Sequence, residues 1–299
     1  MNQIQIITDA GSDIVDCSRP DLTVLPMTIR FGEEEYLDGV NLTHRQFYEK
    51  MIETQVLPTT SQPSPYAFET AIRKIHEQGD IALIITISSK LSGTWQSANI
   101  AAAETGGEVY IVDSLNVAVG EKAIVEYALR MKDAGTDIHT IVDTLNREKE
   151  NLRVIALLDT LEYLQKGGRI SKTVAFVGGA LAIKPVVAIE DGKVILLHDD
   201  RPGAERLLAL VLDDLERRGY RTGNNFLIQQ IQKDGIDFSR PFFLGYTGLS
   251  DALLQKYISD SAEIWKEHVE HLPIGTIGGA IGTHVGPGAI AVAFFSPQS

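Results

Sequence analysis

Residues Ile84 to Ala98, IITISSKLSGTWQSA, decide how the chain reads: a buried strand feeds a hydroxyl-rich turn and then a helix. The run Ile81 to Ile87 is apolar, largely β-branched and without polar alternation, which predicts a central parallel strand covered on both faces. Ser88, Ser89, Ser92, Gly93 and Thr94 supply small polar groups at the turn, and a helical register resumes at Trp95 and continues through Ala103. Ser92 to Thr94 therefore stand near a helix N-terminus, where open amides and the helix dipole favour an anion. Helix capping accounts for the same serines. The stretch by itself sets the fold class and leaves the function open.

The segments before and after it repeat the pattern. Ile4 to Thr8 reads as a short strand followed by the turn TDAGSD, whose Asp9 suits an Asx-turn as well as a ligand edge. Leu22 to Phe31 reads as a strand broken by Pro26, and Gly32 to Glu35 as an acidic turn. Asn41 or Thr43 then starts a helix. In LPTTSQPSPYAF, Pro58, Pro63 and Pro65 stiffen a loop that aims Thr59, Thr60, Ser61 and Ser64, while Ser64-Pro65 makes an ordinary helix start. Val109 to Val112 is a further strand ending at Asp113-Ser114, followed by helices near Gly120–Met131 and Asp137–Glu150. Alternating strands and helices predict an α/β domain with a parallel sheet, polar strand ends (Asp9, Ser88, Asp113) converging on one edge.

Beyond residue 150 the pattern changes. Val154 to Leu158 is apolar, a short helix follows at Thr160 to Leu164, and Lys166-Gly167-Gly168-Arg169 lets the backbone pass close to something else. A Gly- and Ala-rich helix is expected from Thr173 to Leu181. Val186–Ile189 and Val194–His198 form a hairpin about Asp191-Gly192. An amphipathic helix is expected over Ala204–Arg218, strands at Asn225–Ile231 and Pro241–Tyr246, and a helix over Asp251–Trp265. His284 reads as part of a glycine-flanked turn before a final buried strand. The expected architecture is α/β, an N-terminal three-layer domain with a parallel sheet (1–152) plus a C-terminal α+β domain (153–299), with the ligand between them.

Composition narrows the function. The 299 residues are 44% hydrophobic and carry a formal net charge of -13, which argues against a nucleic-acid partner. Residues 151–201 hold 7 basic and 6 acidic side chains, against 12 and 23 in residues 1–150, so the middle stretch is where an anionic ligand or acidic partner is expected. The single Cys17 makes no internal disulfide and suits no thiolate metal site. MNQIQIITDAGSD has no signal-peptide character and no apolar run is long enough to span a bilayer, so a cytoplasmic protein is expected. His268 and His271 lack a third ligand, and no metal site is expected. A GxSxG elbow, a Walker A loop and a strand-linked GxGxxG are all missing.

Taken in order, TDAGSD, PTTSQPSP, SSKLSGTWQSA, VDS, YLQKGGRIS, KP and HVGPGA resemble the DegV family of bacterial fatty-acid-binding proteins over nearly the whole chain. The resemblance implies a carrier with no catalytic residues and no cofactor. One long-chain fatty acid would lie between two domains, its carboxyl presented to the ATP-binding subunit of a fatty acid kinase, which makes an acyl phosphate for phospholipid synthesis. Transient membrane contact is compatible with that role. By motif, Thr60, Ser92 and His284 look like the carboxylate contacts, with Ser61 and Gly93 as neighbours offering amides. Arg169 and Arg201 look like the family's basic residues at the rim facing the kinase. Two departures are Ala10, where many relatives have a hydroxyl, and Leu115-Asn116-Val117 after VDS, which would reshape the pocket. A stand-alone acyl- or phosphoryl-transfer enzyme using the same hydroxyls is the alternative.

Overall fold

The computed structural model describes residues 3–15, 18–171, 184–197 and 215–297. Its strands in chain order are β1 (Ile4–Asp9), β2 (Leu22–Leu25), β3 (Thr28–Phe31), β4 (Glu34–Leu37), β5 (Thr59–Ser61), β6 (Ile81–Thr86), β7 (Val109–Asp113), β8 (Leu152–Leu157), β9 (Val186–Glu190), β10 (Lys193–Leu196), β11 (Phe243–Tyr246), β12 (Ile274–Thr276) and β13 (Ile290–Phe295). Helices α1 (His44–Thr54), α2 (Pro65–Glu77), α3 (Thr94–Thr105), α4 (Val119–Asp133), α5 (Ile138–Glu148) and α6 (Glu162–Lys166) lie among the first eight strands or just after them.

The first sheet has the order β2-β1-β6-β7 and is wholly parallel, so β6 is interior, as its unbroken apolar run predicts. Its side chains alternate between two cores. Leu83 and Ile85 pack with Ile124 of α4 and Ile141 of α5, while Ala82 and Ile84 pack with Phe68 and Ile72 of α2 and Ala98 of α3. Both faces being covered, a polar residue on either would be buried without a partner; the result is the expected three-layer arrangement. Asp9 joins the strand ends: its carboxylate accepts from Gly11 N at 2.8 Å and from Ile87 N at 3.0 Å, and burial pushes it up to about 6.

The second domain carries a six-stranded mixed sheet, β10-β9-β8-β13-β11-β12, antiparallel except for the β11–β12 pair. One face packs on the helices Leu215–Asp234, Ala252–Asp260 and Ala262–Trp265 through Leu227, Ile231, Leu254, Tyr257 and Trp265. The other face meets Ile87, Ala118, Val119 and Ile281. Along β13 the sequence IAVAFF puts Ile290, Val292 and Phe294 on the helix-packed face and Ala291 and Ala293 on the other. In register, Ala291 faces Ala156 and Ala293 faces Val154 of β8, so small side chains meet across the strands on that face. The Asp191-Gly192 turn closes the β9–β10 hairpin as expected, and its tip reaches the first domain, where Ser88 Oγ donates to the Gly192 carbonyl at 2.7 Å.

A third, three-stranded antiparallel sheet, β4-β3-β5, stands beside both. It grips the short helix Gly279–Val285. Asp38, just past β4, accepts from the amides of Gly279 at 3.2 Å and Ala280 at 2.7 Å, and Asp13 accepts from Gly278 N at 2.7 Å. Those amides have no other partner at a helix start, and a carboxylate also suits the dipole there. A side chain at Gly279 or Gly282 would collide with Phe47 or Tyr48 of α1, which explains the glycines of GGAIG by close packing.

Several sequence expectations change. His284 lies in the last turn of the Gly279–Val285 helix and not in a glycine turn, because Asp13 and Asp38 supply the cap that the local sequence lacks. Thr59–Ser61 of the proline-stiffened loop is strand β5, its extended backbone completed by pairing with β3. The acidic turn shrinks to Gly32-Glu33, with Glu34 and Glu35 in β4. Asn225–Ile231 is helical: Leu227 and Ile231, four residues apart, are both buried in one core. The expected helix Thr173–Leu181, most of Ala204–Arg218, Arg201 and Cys17 lie outside the described residues. No helix among the described residues is long and apolar enough to cross a membrane.

Replacing Asp38 by Ala strands the Gly279 and Ala280 amides in a buried setting, an expected loss of about 1–3 kcal/mol in urea unfolding. Asp38→Asn keeps a carbonyl oxygen as acceptor and should lose less than half as much.

Candidate functional site

A narrow cavity of about 90 Å³ runs between the end of the parallel sheet and the alanine-bearing face of the six-stranded sheet, where roughly 10–15 Å³ suffices for one water. Of its 23 lining residues, 19 are apolar and four are polar: Thr60, Ser92, Arg169 and His284. Met27, Ile87, Val154, Ala156, Ile281 and Ala291 are among the apolar ones, drawn from strands of all three sheets, the segment after β6 and the Gly279–Val285 helix. The small residues on β8 and β13 have a physical role here: with alanine where a larger side chain would close the layer, the interface stays hollow.

The four polar side chains are linked by contacts. Thr60 Oγ1 on β5 and His284 Nε2 share a hydrogen bond of 2.9 Å. The imidazole lies on Gly167, where a Cβ would fall 2.2 Å from Nδ1, so the KGGR turn passes close to a side chain as its glycines predict. Arg169 donates through Nη1 to the Gly167 carbonyl and through Nε to the Leu91 carbonyl at 3.2 Å. Leu91 precedes Ser92, whose Oγ is 2.8 Å from Thr94 Oγ1 and accepts from Thr94 N at 3.4 Å. Gly93 starts α3 without a side-chain cap, leaving Ser92 as the hydroxyl at that helix end. The chain Thr60, His284, Gly167, Arg169, Leu91, Ser92 thus gathers the polar groups at one end of an apolar cavity.

Burial, with the Arg169 charge adding to it, lowers the His284 pKa to about 4. The ring is therefore neutral near pH 7. Its Nδ1 is buried and has no hydrogen-bond partner among the described residues. A lone pair left unpaired costs less than an orphaned N–H, which assigns the proton to Nε2. Nε2–H then donates to Thr60, and the Thr60 hydroxyl keeps its own hydrogen for a ligand oxygen. The site can accept a carboxyl head with hydroxyl donors and one guanidinium.

Ser61 is exposed, one step along β5 and so on the opposite face from Thr60, and neither it nor Gly93 lines the cavity. Gly93 instead receives Gln62: a Cβ there would lie 2.6 Å from the Gln62 amide nitrogen, which brings the proline-rich segment onto the serine loop. Val117, one of the residues by which the chain departs from the family pattern, is in the cavity wall, and Ala10 is buried in the core behind it. Gln62, Gly167 and Asp38 were not singled out as site residues from sequence; of these only Gly167 carried a local signal, its pairing with Gly168 before an arginine. His268 stacks on Phe238 with ring centroids 4.1 Å apart.

The family model described as "Uncharacterised protein, DegV family" matches residues 3–297. A DegV domain-containing protein of Deinococcus radiodurans is 33% identical over 294 residues, covering 97% of each chain, and one of Caldanaerobacter subterraneus is 30% identical over 299 residues, covering 98% of this chain and 99% of its own. Among solved structures, a fatty-acid-binding DegV family protein from Thermus thermophilus superposes with a TM-score of 0.82 at 26% identity, covering 99% of this chain and all of that one. The Fatty Acid Kinase (Fak) B3 protein of Streptococcus pneumoniae, loaded with linoleic acid, has the same fold with a TM-score of 0.80 at 20% identity, covering 99% of this chain and all of its own. Neighbours of this fold bind fatty acids, and the chain described here belongs to the DegV family.

Proposed function

We propose that the chain binds one long-chain fatty acid in the cavity, carboxyl at Thr60, Ser92 and His284 and tail along the alanine face of the six-stranded sheet. It then presents the head to a separate ATP-using kinase subunit in the cytoplasm, which converts it to an acyl phosphate for phospholipid synthesis. The observation that carries the reading is the division of one lining into 19 apolar residues and a cluster of four polar ones. A saturated tail of about sixteen carbons offers roughly 12 kcal/mol of transfer free energy at ~0.8 kcal/mol per methylene, before the cost of association. The tail supplies affinity; the head group sets direction. In this reading residues 1–152 and 153–299 act as the two walls. Ser61 and Gly93 offer backbone amides beside Thr60 and Ser92, while Arg169, with Arg201, belongs to the rim that meets the kinase.

We infer a carrier and not a catalyst. An imidazole that activates a hydroxyl is oriented by a third group on its other nitrogen, and His284 Nδ1 lies against Gly167 with no acid on it. Ser92 Oγ is engaged with Thr94 and not with a base. No group of three metal-ligating side chains is found among the described residues.

Denaturing mass spectrometry of the purified chain should release close to one fatty acid per protein, with no acyl phosphate formed from ATP unless a kinase is added; an empty protein sinks the proposal. Ala291→Leu should block palmitate while leaving the fold intact, because the new side chain fills space the ligand would occupy; full palmitate loading in that variant would place the tail elsewhere. His284 in the folded chain binds its proton only near pH 4, whereas the unfolded chain binds it near 6.5. Stability from this residue is therefore lost as pH falls across that window, by roughly 3 kcal/mol at most. Urea unfolding at pH 7 and pH 4.5 should show a shallower pH dependence for ligand-free His284→Asn than for the ligand-free parent.

A further inference from the structure

We propose that Arg169 is the counter-ion of the ligand's head group, the fixed positive charge that keeps a fatty acid carboxylate ionised inside the cavity. This rests on the fatty-acid reading and adds to it the charge state of the bound head. A guanidinium has five N–H donors and no acceptor. Two contacts are spent on backbone carbonyls, those of Leu91 and Gly167, which fix the direction of the group without cancelling its charge. The other N–H groups are left for a ligand oxygen. No Asp or Glu among the described residues forms an ion pair with it, although it lines the cavity beside Thr60, Ser92 and His284.

The surrounding elements offer no substitute. On α6, Glu162 is paired with Lys166 at 2.5 Å and the Tyr163 ring lies against Gly286. Asp159, beyond β8, is paired with Lys184. Lys90, on the loop after β6, has its stem against Gly192 at the hairpin tip, and His284 is neutral. Of these groups only Arg169 brings an unpaired charge into the lining. A carboxyl group drawn into an apolar cavity is pushed towards its protonated form, and an adjacent guanidinium reverses that by about 1–3 pH units. The difference matters for chemistry. In phosphoryl transfer from a nucleoside triphosphate the carboxylate oxygen bonds to the γ-phosphorus, the bond from that phosphorus to the bridging oxygen breaks, and the nucleoside diphosphate leaves; an ionised carboxylate needs to shed no proton first.

The test loads the full-length protein with palmitate carrying 13C at C1 and follows the bound carboxyl resonance with pH. In the unaltered protein it should titrate below the ordinary carboxylate range. Arg169→Gln should raise it by about 1–3 pH units, and Arg169→Lys, which keeps the charge, should retain most of the lowering. A bound carboxyl that titrates above the ordinary range in the unaltered protein overturns the proposal without any variant, as does an Arg169→Gln titration that overlays the parent's. Reading a bound resonance makes the result independent of how fully each variant loads. Protein that takes up no palmitate at all contradicts the fatty-acid reading itself, an outcome distinct from either of these.

Discussion

A hydrogen bond of 2.9 Å between Thr60 and His284 joins residues 224 positions apart, and much of the architecture is needed to make it. Thr60 is placed by the pairing of β5 with β3, and His284 by a helix of seven residues that has no capping side chain of its own. The same small sheet controls both ends of that helix: β5 holds the imidazole through Thr60, and Asp38, following β4, holds the first amides. Because both grips come from one sheet, the distance between them is fixed by strand geometry and not by loop conformation. A short helix held in this way resists rotation about its axis, which is the motion that would carry His284 away from Thr60.

The contact also requires absences. Gly167 must lack a side chain for the imidazole to lie where it does, and Gly279 and Gly282 must lack them for the helix to sit on Phe47 and Tyr48. The same logic governs the cavity. Close packing is the default for an interface between a sheet and its neighbours. Alternation along β13 defeats it on one face only, since Ile290, Val292 and Phe294 fill the helix-packed core while Ala291 and Ala293 leave room opposite. A strand can thus stabilise the fold with one set of side chains and leave space with the other, because the two sets never share a face.

How far the sequence reveals this depends on the range over which each feature is determined. The unbroken apolar strand β6, the Ser64-Pro65 helix start and the Asp191-Gly192 hairpin are local facts, each dictated by residues within one element, and they were legible. The association of Thr60, Ser92 and His284 was legible only through a resemblance that linked motifs far apart. His284 was misread as part of a turn because its helix is capped by Asp13 and Asp38, which no local rule connects to it. Asn225–Ile231 was misread as a strand because its Ile and Leu suit either period until the burial of Leu227 with Ile231 decides for the helix. The alternation of alanine in IAVAFF was the one overlooked local signal of a cavity. A run that is large on one face and uniformly small on the other carries information that apolar character alone does not.

The protonation pattern at the head of the cavity bears on why such a protein would leave chemistry to a partner. A general base must gain a proton during reaction, so its surroundings have to stabilise the charged form. His284 has the opposite environment: burial and the neighbouring arginine both oppose its protonation, and its second nitrogen faces a glycine. On the proposed reading those features suit a site that orients without reacting, since a ring that stays neutral passes a constant hydrogen-bond pattern to Thr60 over the physiological pH range. The cationic role then falls to a residue incapable of giving up its proton near neutrality, and Arg169, held by two carbonyl groups at the cavity, has that property. Separating a neutral orienting group from a permanent charge lets the head be held firmly while its oxygen remains chemically available to another active site.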